Sequence, residues 1–331
     1  MSPSIGRRAR RSRRARRVRR RRARVCAALV ACVVVGGTAA GAVYRQGHAR
    51  PGAGGAVSSS ASARADGEAS VETVEPDVDR DAVLAAAMAS VTVPDGAEVS
   101  VAVLDPASGE GAAYGTGVFD TASIVKVDIL AALLLRAEDA GRTLTAAEKS
   151  YAAAMIEKSD NDSASALWRT IGEADGLDAA NERFGLTATA GGDGPLWGLT
   201  QTTAADQVTL LRQVFVADGS ELGEASRAYV RGLMGAVVDG QRWGVSAAAD
   251  GGADGSAWAL KNGWLRRSTT GLWVVNSIGR VTAGGRDRLV AVVSRGSAAQ
   301  AEGIALTEAA ARAAVSVFAE AGGAGAGQKS S

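Results

Sequence analysis

Ser123-Ile124-Val125-Lys126 opens an apolar run that continues through Leu135. The run predicts a buried helix beginning at the serine. A serine at a helix start and a lysine three residues on share one face, one turn apart. Serine at its ordinary pKa is a poor nucleophile, and a neighbouring amine can take its proton. The helix N-terminus adds partial positive charge where an oxyanion would form.

The rest of the composition narrows what such a serine could be part of. The 331-residue chain has a net charge of +2, but that value hides two opposite parts. Residues 1–24 hold 13 Arg and no acid, and the first acidic residue is Asp66. Beyond residue 64 there are 21 basic residues against 35 acidic ones, a net of −14. The folded part is therefore acidic and carries no nucleic-acid footprint. Both cysteines, Cys26 and Cys32, fall in the N-terminal apolar segment, so no disulfide framework is expected in the body. The one histidine is His48. A Ser-His-Asp triad or a histidine zinc site cannot be built further along, and a serine hydrolase here needs lysine or a carboxylate as its base.

The organisation can be read from composition. Residues 1–24 read as an arginine-rich cytoplasmic or n-region. The 20 uncharged residues Val25 to Tyr44 are long enough, at roughly 30 Å as a helix, to span a bilayer or serve as a signal peptide. The positive-inside rule then places the chain from Arg45 onward outside the cytoplasm, anchored or secreted. Leu29-Val30-Ala31-Cys32 resembles a lipoprotein cleavage box, but only seven apolar residues, Val25–Ala31, precede it and Val33–Val35 continue the run, which argues against it. Residues 45–77 are a flexible spacer, 78–321 the folded domain and 322–331 a disordered tail. Helices are expected over Asp79–Ser90, Thr145–Ile156, Asp162–Thr170, Leu177–Phe184, Thr203–Phe215, Glu224–Val238 and Ala301–Ala321. Strands are expected over Glu98–Leu104, Gly111–Tyr114, Trp258–Leu265, Trp273–Ile278 and Leu289–Ser294. Residues 185–202 read as a loop. Strands at both ends with helices between them predict an α+β domain, one sheet built from the chain termini plus an all-α block.

Three short motifs occur in order: Ser123-x-x-Lys126, Ser159-Asp160-Asn161 and Lys261-Asn262-Gly263. With them the region 79–320 resembles the class A β-lactamase and penicillin-binding protein family of serine hydrolases. The resemblance implies an α/β/α sandwich with an antiparallel sheet, and an acyl-enzyme mechanism on a β-lactam or an acyl-D-Ala-D-Ala-like amide. It implies Ser123 as nucleophile, Lys126 as its base or electrostatic partner, and Ser159 as proton relay to the leaving nitrogen. Asn161 would position the substrate amide or Lys126, and Lys261 would attract the substrate carboxylate. The N–H groups of Ser123 and Trp264 would form the oxyanion hole, and Gly263 would let substrate approach the strand edge. Lysine usage fits: two of five lysines, against 32 arginines, occupy motif positions, and arginine cannot serve as a base.

The departures from the family pattern are as informative. Asn262, which the resemblance implies as a substrate-binding position, stands where Thr or Ser is usual, so a hydroxyl that would help bind the substrate carboxylate is missing. The 36 residues from Ser123 to Ser159 suggest a trimmed helical block. Residues 185–202 lack the Glu-x-x-Leu-Asn run of the family's deacylating base and offer one acid, Asp193, with turn character. The substrate-carboxylate arginine has three candidates, Arg266, Arg267 and Arg280. Trp197 reads as a packing residue. Two rival readings stand beside the hydrolase, a wall DD-peptidase and a non-catalytic, membrane-anchored module that binds wall fragments. The expected partners are a small-molecule or peptidoglycan-derived substrate and, through the N-terminal segment, a membrane, with no nucleic acid; the chain is expected to be a monomer and to need no cofactor or metal.

Overall fold

The computed structural model describes residues 78–319. The Arg-rich segment, the apolar segment 25–44, the linker and the tail from 322 lie outside the described residues. Five strands form one antiparallel sheet in the order β2-β1-β7-β6-β5: β1 Glu98–Leu104, β2 Gly111–Tyr114, β5 Trp258–Arg266, β6 Trp273–Ala283 and β7 Arg286–Ser297. The N-terminal hairpin thus pairs with the last strand, as the terminal placement of strands predicts. Two short strands that the sequence does not announce, β3 Phe119–Asp120 and β4 Gln201–Thr202, pair with each other.

Strand alternation explains the layers. Along β7, Leu289, Ala291 and Val293 enter one core, while Val290 and Val292 enter the other. The second core is closed by α1 (Arg80–Met88), through Leu84 and Met88, and by α8 (Gln300–Ser316), through Ala310, Ala311 and Ala314. The first core faces the helical block: α2 Val125–Asp139, α3 Ala146–Glu157, α4 Asn161–Ile171, α5 Glu173–Phe184, α6 Ala204–Phe215 and α7 Glu224–Met234. The result is a three-layer α/β/α arrangement with an antiparallel sheet in the middle. Burying each large aliphatic side chain contributes about 1.5–3 kcal/mol.

Several ends differ from the sequence expectation, each for a local reason. Helix α7 stops at Met234 because Gly235 caps it, and not at Val238. Helix α5 begins at Glu173, directly after Gly172 turns the chain with φ 97°. Helix α8 ends at Ser316, short of Ala321. Other boundaries are set by caps. Thr145 and Glu148 form a reciprocal capping box at α3. Asp160 accepts from Ser163 N to start α4, and Thr203 accepts from Asp206 N to start α6. Among the described residues no helix is long and apolar enough to cross a membrane.

Candidate active site

Helix α2 is buried on nearly all sides, and its first turn brings Lys126 into the interior with no exposure. Ser123 does not lie in α2. It sits half-buried in a single 3-10 turn, Ala122–Ile124, that feeds the helix. Ala122 enters that turn with φ 49°, a left-handed conformation that L-residues rarely adopt. The turn is held from the sheet. Asn276 in β6, fully buried, donates through Nδ2 to the carbonyls of Asp120 and Thr121, both at 2.9 Å, while its Oδ1 accepts from Ser294 N.

Edge strand β5 runs directly against this turn. A Cβ on Gly263 would lie 2.6 Å from the backbone nitrogens of both Ser123 and Ile124. The glycine therefore lets β5 approach the serine turn itself, a tighter constraint than room for substrate. Trp264, next along the strand, is half-buried and packs on Trp243 with ring centroids 5.8 Å apart.

Ser159 terminates the α3–α4 connection with φ 58°, and its hydroxyl lies between two lysine amines. Lys126 Nζ is 3.0 Å from Ser159 Oγ, 2.6 Å from Ser159 O and 2.8 Å from Asn161 Oδ1. Lys261 Nζ reaches the same Oγ at 3.0 Å and also donates to the carbonyl of Asn262. Burial pushes the Lys126 amine down to about 7, opposed by the Asp160 charge. Lys261 is pushed well down by burial and then by the charge of Lys126. An amine with a pKa about 7 is roughly half neutral at neutral pH and can accept a proton, and the hydroxyl between the two lysines can pass one on. Asp160 itself caps α4, which holds its carboxylate below the usual range.

The structure thus gathers Lys126, Ser159, Asn161 and Lys261 into one hydrogen-bonded cluster and places Gly263 against the Ser123 turn. Asn262 is spent elsewhere. Its side chain is fully buried, and Nδ2 donates to the carbonyls of Gln241 and Trp243, anchoring the segment before Gly244 to β5. None of the three candidate arginines for a substrate carboxylate reaches the cluster: Arg266 donates to Gly271 O, Arg267 pairs with Asp120 and Arg280 with Asp287. Asp193 is an exposed turn residue whose carbonyl accepts from Leu196 N.

Three residues escape the motif reading. Trp197, a packing residue by its sequence, places its ring 4.9 Å from Lys126 Nζ, and its indole N–H donates to Ser165 Oγ. The 185–202 loop therefore delivers an aromatic face, and no carboxylate, to Lys126. Gln241 donates to Lys158 O at 2.8 Å and accepts from Lys261 Nζ at 3.4 Å. Asn276 shows in the sequence only as one polar residue inside the apolar run Trp273–Ile278. Among the described residues no cluster of His, Cys, Asp and Glu has the makings of a metal site.

Comparison with known proteins agrees with the fold. The fold is that of class A β-lactamases. It is similar to the TLA-1 extended-spectrum β-lactamase (TM-score 0.62, 15% identity, 73% of this chain and 98% of that one). A class A β-lactamase from Bacteroides cellulosilyticus (0.58, 16%, 73% and 99%) and a β-lactamase from Xanthomonas campestris (0.55, 21%, 71% and 95%) are similar to it too. At these identities the likeness is one of fold. In sequence, the chain is 28% identical over 176 residues to a Mycobacterium tuberculosis protein named "Putative lipoprotein LppW", covering 51% of this chain and 55% of that protein. The chain spans about half the length of the curated relatives it matches. The profile of the beta-lactamase enzyme family matches residues 147–318, more than half of the chain and including Ser159 and Lys261. The chain belongs to the beta-lactamase enzyme family.

Proposed function

We propose that this protein is an exported serine hydrolase that forms an acyl-enzyme at Ser123 on a β-lactam or an acyl-D-Ala-D-Ala-like amide. The observation that carries this reading is the Lys126–Ser159–Lys261 cluster, two buried amines with lowered proton affinity sharing one hydroxyl, with Lys126 three residues along the chain from Ser123. In this reading Lys126 takes the Ser123 proton as Oγ attacks the amide carbonyl. The N–H groups of Ser123 and Trp264 hold the oxyanion, and Ser159 returns a proton to the departing nitrogen as the C–N bond breaks. Asn161 fixes Lys126, and Lys261 meets the substrate carboxylate.

A second reading, a DD-peptidase of wall metabolism with a long-lived β-lactam adduct, is favoured by Trp197. An indole face over Lys126 supplies no base to activate water, so the acyl group leaves slowly. Export rests on the uncharged run Val25–Tyr44 behind the arginines and on the lipoprotein name of the mycobacterial relative, which also returns Cys32 to consideration as a lipid attachment point. Cell fractionation of wild type and Cys32→Ser tests it: full retention of the variant in the membrane leaves a spanning helix as the anchor, and loss to the medium assigns the anchor to Cys32.

The functional test is intact-mass spectrometry of the purified full chain with penicillin over time, with Ser123→Ala as control. A stable adduct on wild type alone supports the nucleophile and the peptidase reading. An adduct that clears with release of opened drug supports a β-lactamase. No adduct and no drug consumed overturns β-lactam chemistry.

A further inference from the structure

A cavity of about 990 Å³ lies apart from the lysine cluster and shares no lining residue with it. It is bounded by the last turn of α7 and the adjoining ends of β5 and β6. Three guanidinium groups line it, from three separate elements: Arg231 in α7, Arg242 after the Asp239–Gln241 turn, and Arg280 in β6. They sit on a body whose net charge beyond residue 64 is −14, so the concentration of cations in one concave place is local and specific.

Their present partners do not use them up. Arg231 donates to Val214 O and Glu224, Arg242 to Val237 O and Asp239, and Arg280 through Nη1 to Thr282 and Asp287. The acidic partners are largely open to water, with side-chain exposures of 66%, 90% and 48% for Glu224, Asp239 and Asp287. Such pairs are screened and weak. Arg280 thus bonds through one of its three nitrogens, and Arg231 and Arg242 through two each. Arg280 is also out of place for a structural arginine. Its register partners are Ala259 and Leu289, both in the apolar core face of the sheet. Trp258, 5% exposed, lines the same cavity, carries Arg242 over its ring at 5.8 Å, and has a buried indole N–H without an acceptor. Two acids, Asp254 and Asp287, also line the cavity, and with Glu224 and Asp239 on Arg231 and Arg242 the carboxylates number four, so an anion enters by displacing exposed carboxylates from the arginine forks.

We propose that this cavity is a second binding site, for a multiply charged anion of the phosphate or carboxylate class. Arginine forks bind both groups in the same planar, bidentate manner, and a cavity this large takes more than a single ion. The inference stands whether or not Ser123 is acylated.

Tryptophan fluorescence of the full chain is the readout. Trp258 lines the cavity, and anions held elsewhere, by the N-terminal arginines or the lysine cluster, are told apart by the R242Q/R280Q comparison. Inorganic tripolyphosphate and citrate are titrated separately, at low and at physiological salt. A saturable change with at least one of them, weakened tenfold or more in R242Q/R280Q and unchanged in R312Q, supports the site; the anion that binds names the group. R242Q alone, at an exposed side chain, weakens binding without moving the melting temperature. Absence of a saturable change with both anions, or the same curve in R242Q/R280Q as in wild type, overturns the proposal.

Discussion

Asp128 is the second charged residue of α2 and lies 1% exposed. Neither of its oxygens has a well-aligned hydrogen-bond donor, Gln207 being close but poorly placed, and Gln207 Oε1 lacks a donor of its own. Burial pushes the Asp128 carboxyl up to about 8, with the Asp206 charge adding to the rise and Gln207 opposing it. A proton on Asp128 supplies the donor that Gln207 Oε1 is missing, so the folded protein holds this carboxyl neutral at pH 7. In the unfolded chain the same group ionises near pH 3.8. Between those values the folded state binds one more proton than the unfolded state. Its contribution is fully present below pH 3.8 and falls as pH rises, by about 1.4 kcal/mol per pH unit, levelling off above about 8. Asp128→Asn keeps the shape and removes the titration. Urea unfolding of wild type and variant at pH 5, 6, 7 and 8 reports on this group and its coupling to Asp206, because titrations not coupled to Asp128 cancel in the difference. The stability of the variant relative to wild type should climb by about 3 kcal/mol from pH 5 to 7. A difference that stays constant with pH would show that Asp128 is ionised in the fold, and would refute the reasoning.

Other expectations rest on the site geometry. If the Lys126 amine is the base, acylation by a chromogenic β-lactam rises with pH through about 7, because the neutral amine forms above that value; a rate flat from pH 5 to 9 removes Lys126 from the role. Gly263→Ala forces β5 away from the serine turn, since the added carbon would sit 2.6 Å from two backbone nitrogens. It should cost about 1–3 kcal/mol in thermal or urea melts and slow adduct formation, and wild-type behaviour would mean the strand has slack. Asn276→Ala leaves the carbonyls of Asp120 and Thr121 and the Ser294 N–H without their partner, for a loss of about 1–3 kcal/mol read by the same melts.

Much of the domain can be read from the chain because local signals and burial agree. The period-2 strands at the two ends and the apolar run after Ser123 specify layers directly. The three motifs supply Lys126, Ser159, Asn161 and Lys261, which converge. What cannot be read depends on which loop crosses which side chain. Nothing local marks Trp197 as the residue over Lys126, or Gln241 as the acceptor 20 positions before Lys261. Asn262 reads as a substrate contact because its place in the motif is one. Its burial is set by the crossing at Gly244, with φ 81°, which brings the Gln241 and Trp243 carbonyls onto its amide. The 3-10 turn carrying Ser123 is likewise invisible in a run that reads as continuous helix.

Two amines facing one hydroxyl, each with its proton affinity lowered, make the cluster a reservoir waiting to be filled. An anionic group arriving beside Lys261 offsets the burial and repulsion that keep it from being protonated, so association takes a proton from solution. Calorimetric binding enthalpies would then shift with the ionisation heat of the buffer, being more favourable in phosphate than in Tris by the fraction of a proton absorbed. The charge on the ligand and the acidity of the medium thus enter the affinity as one coupled quantity.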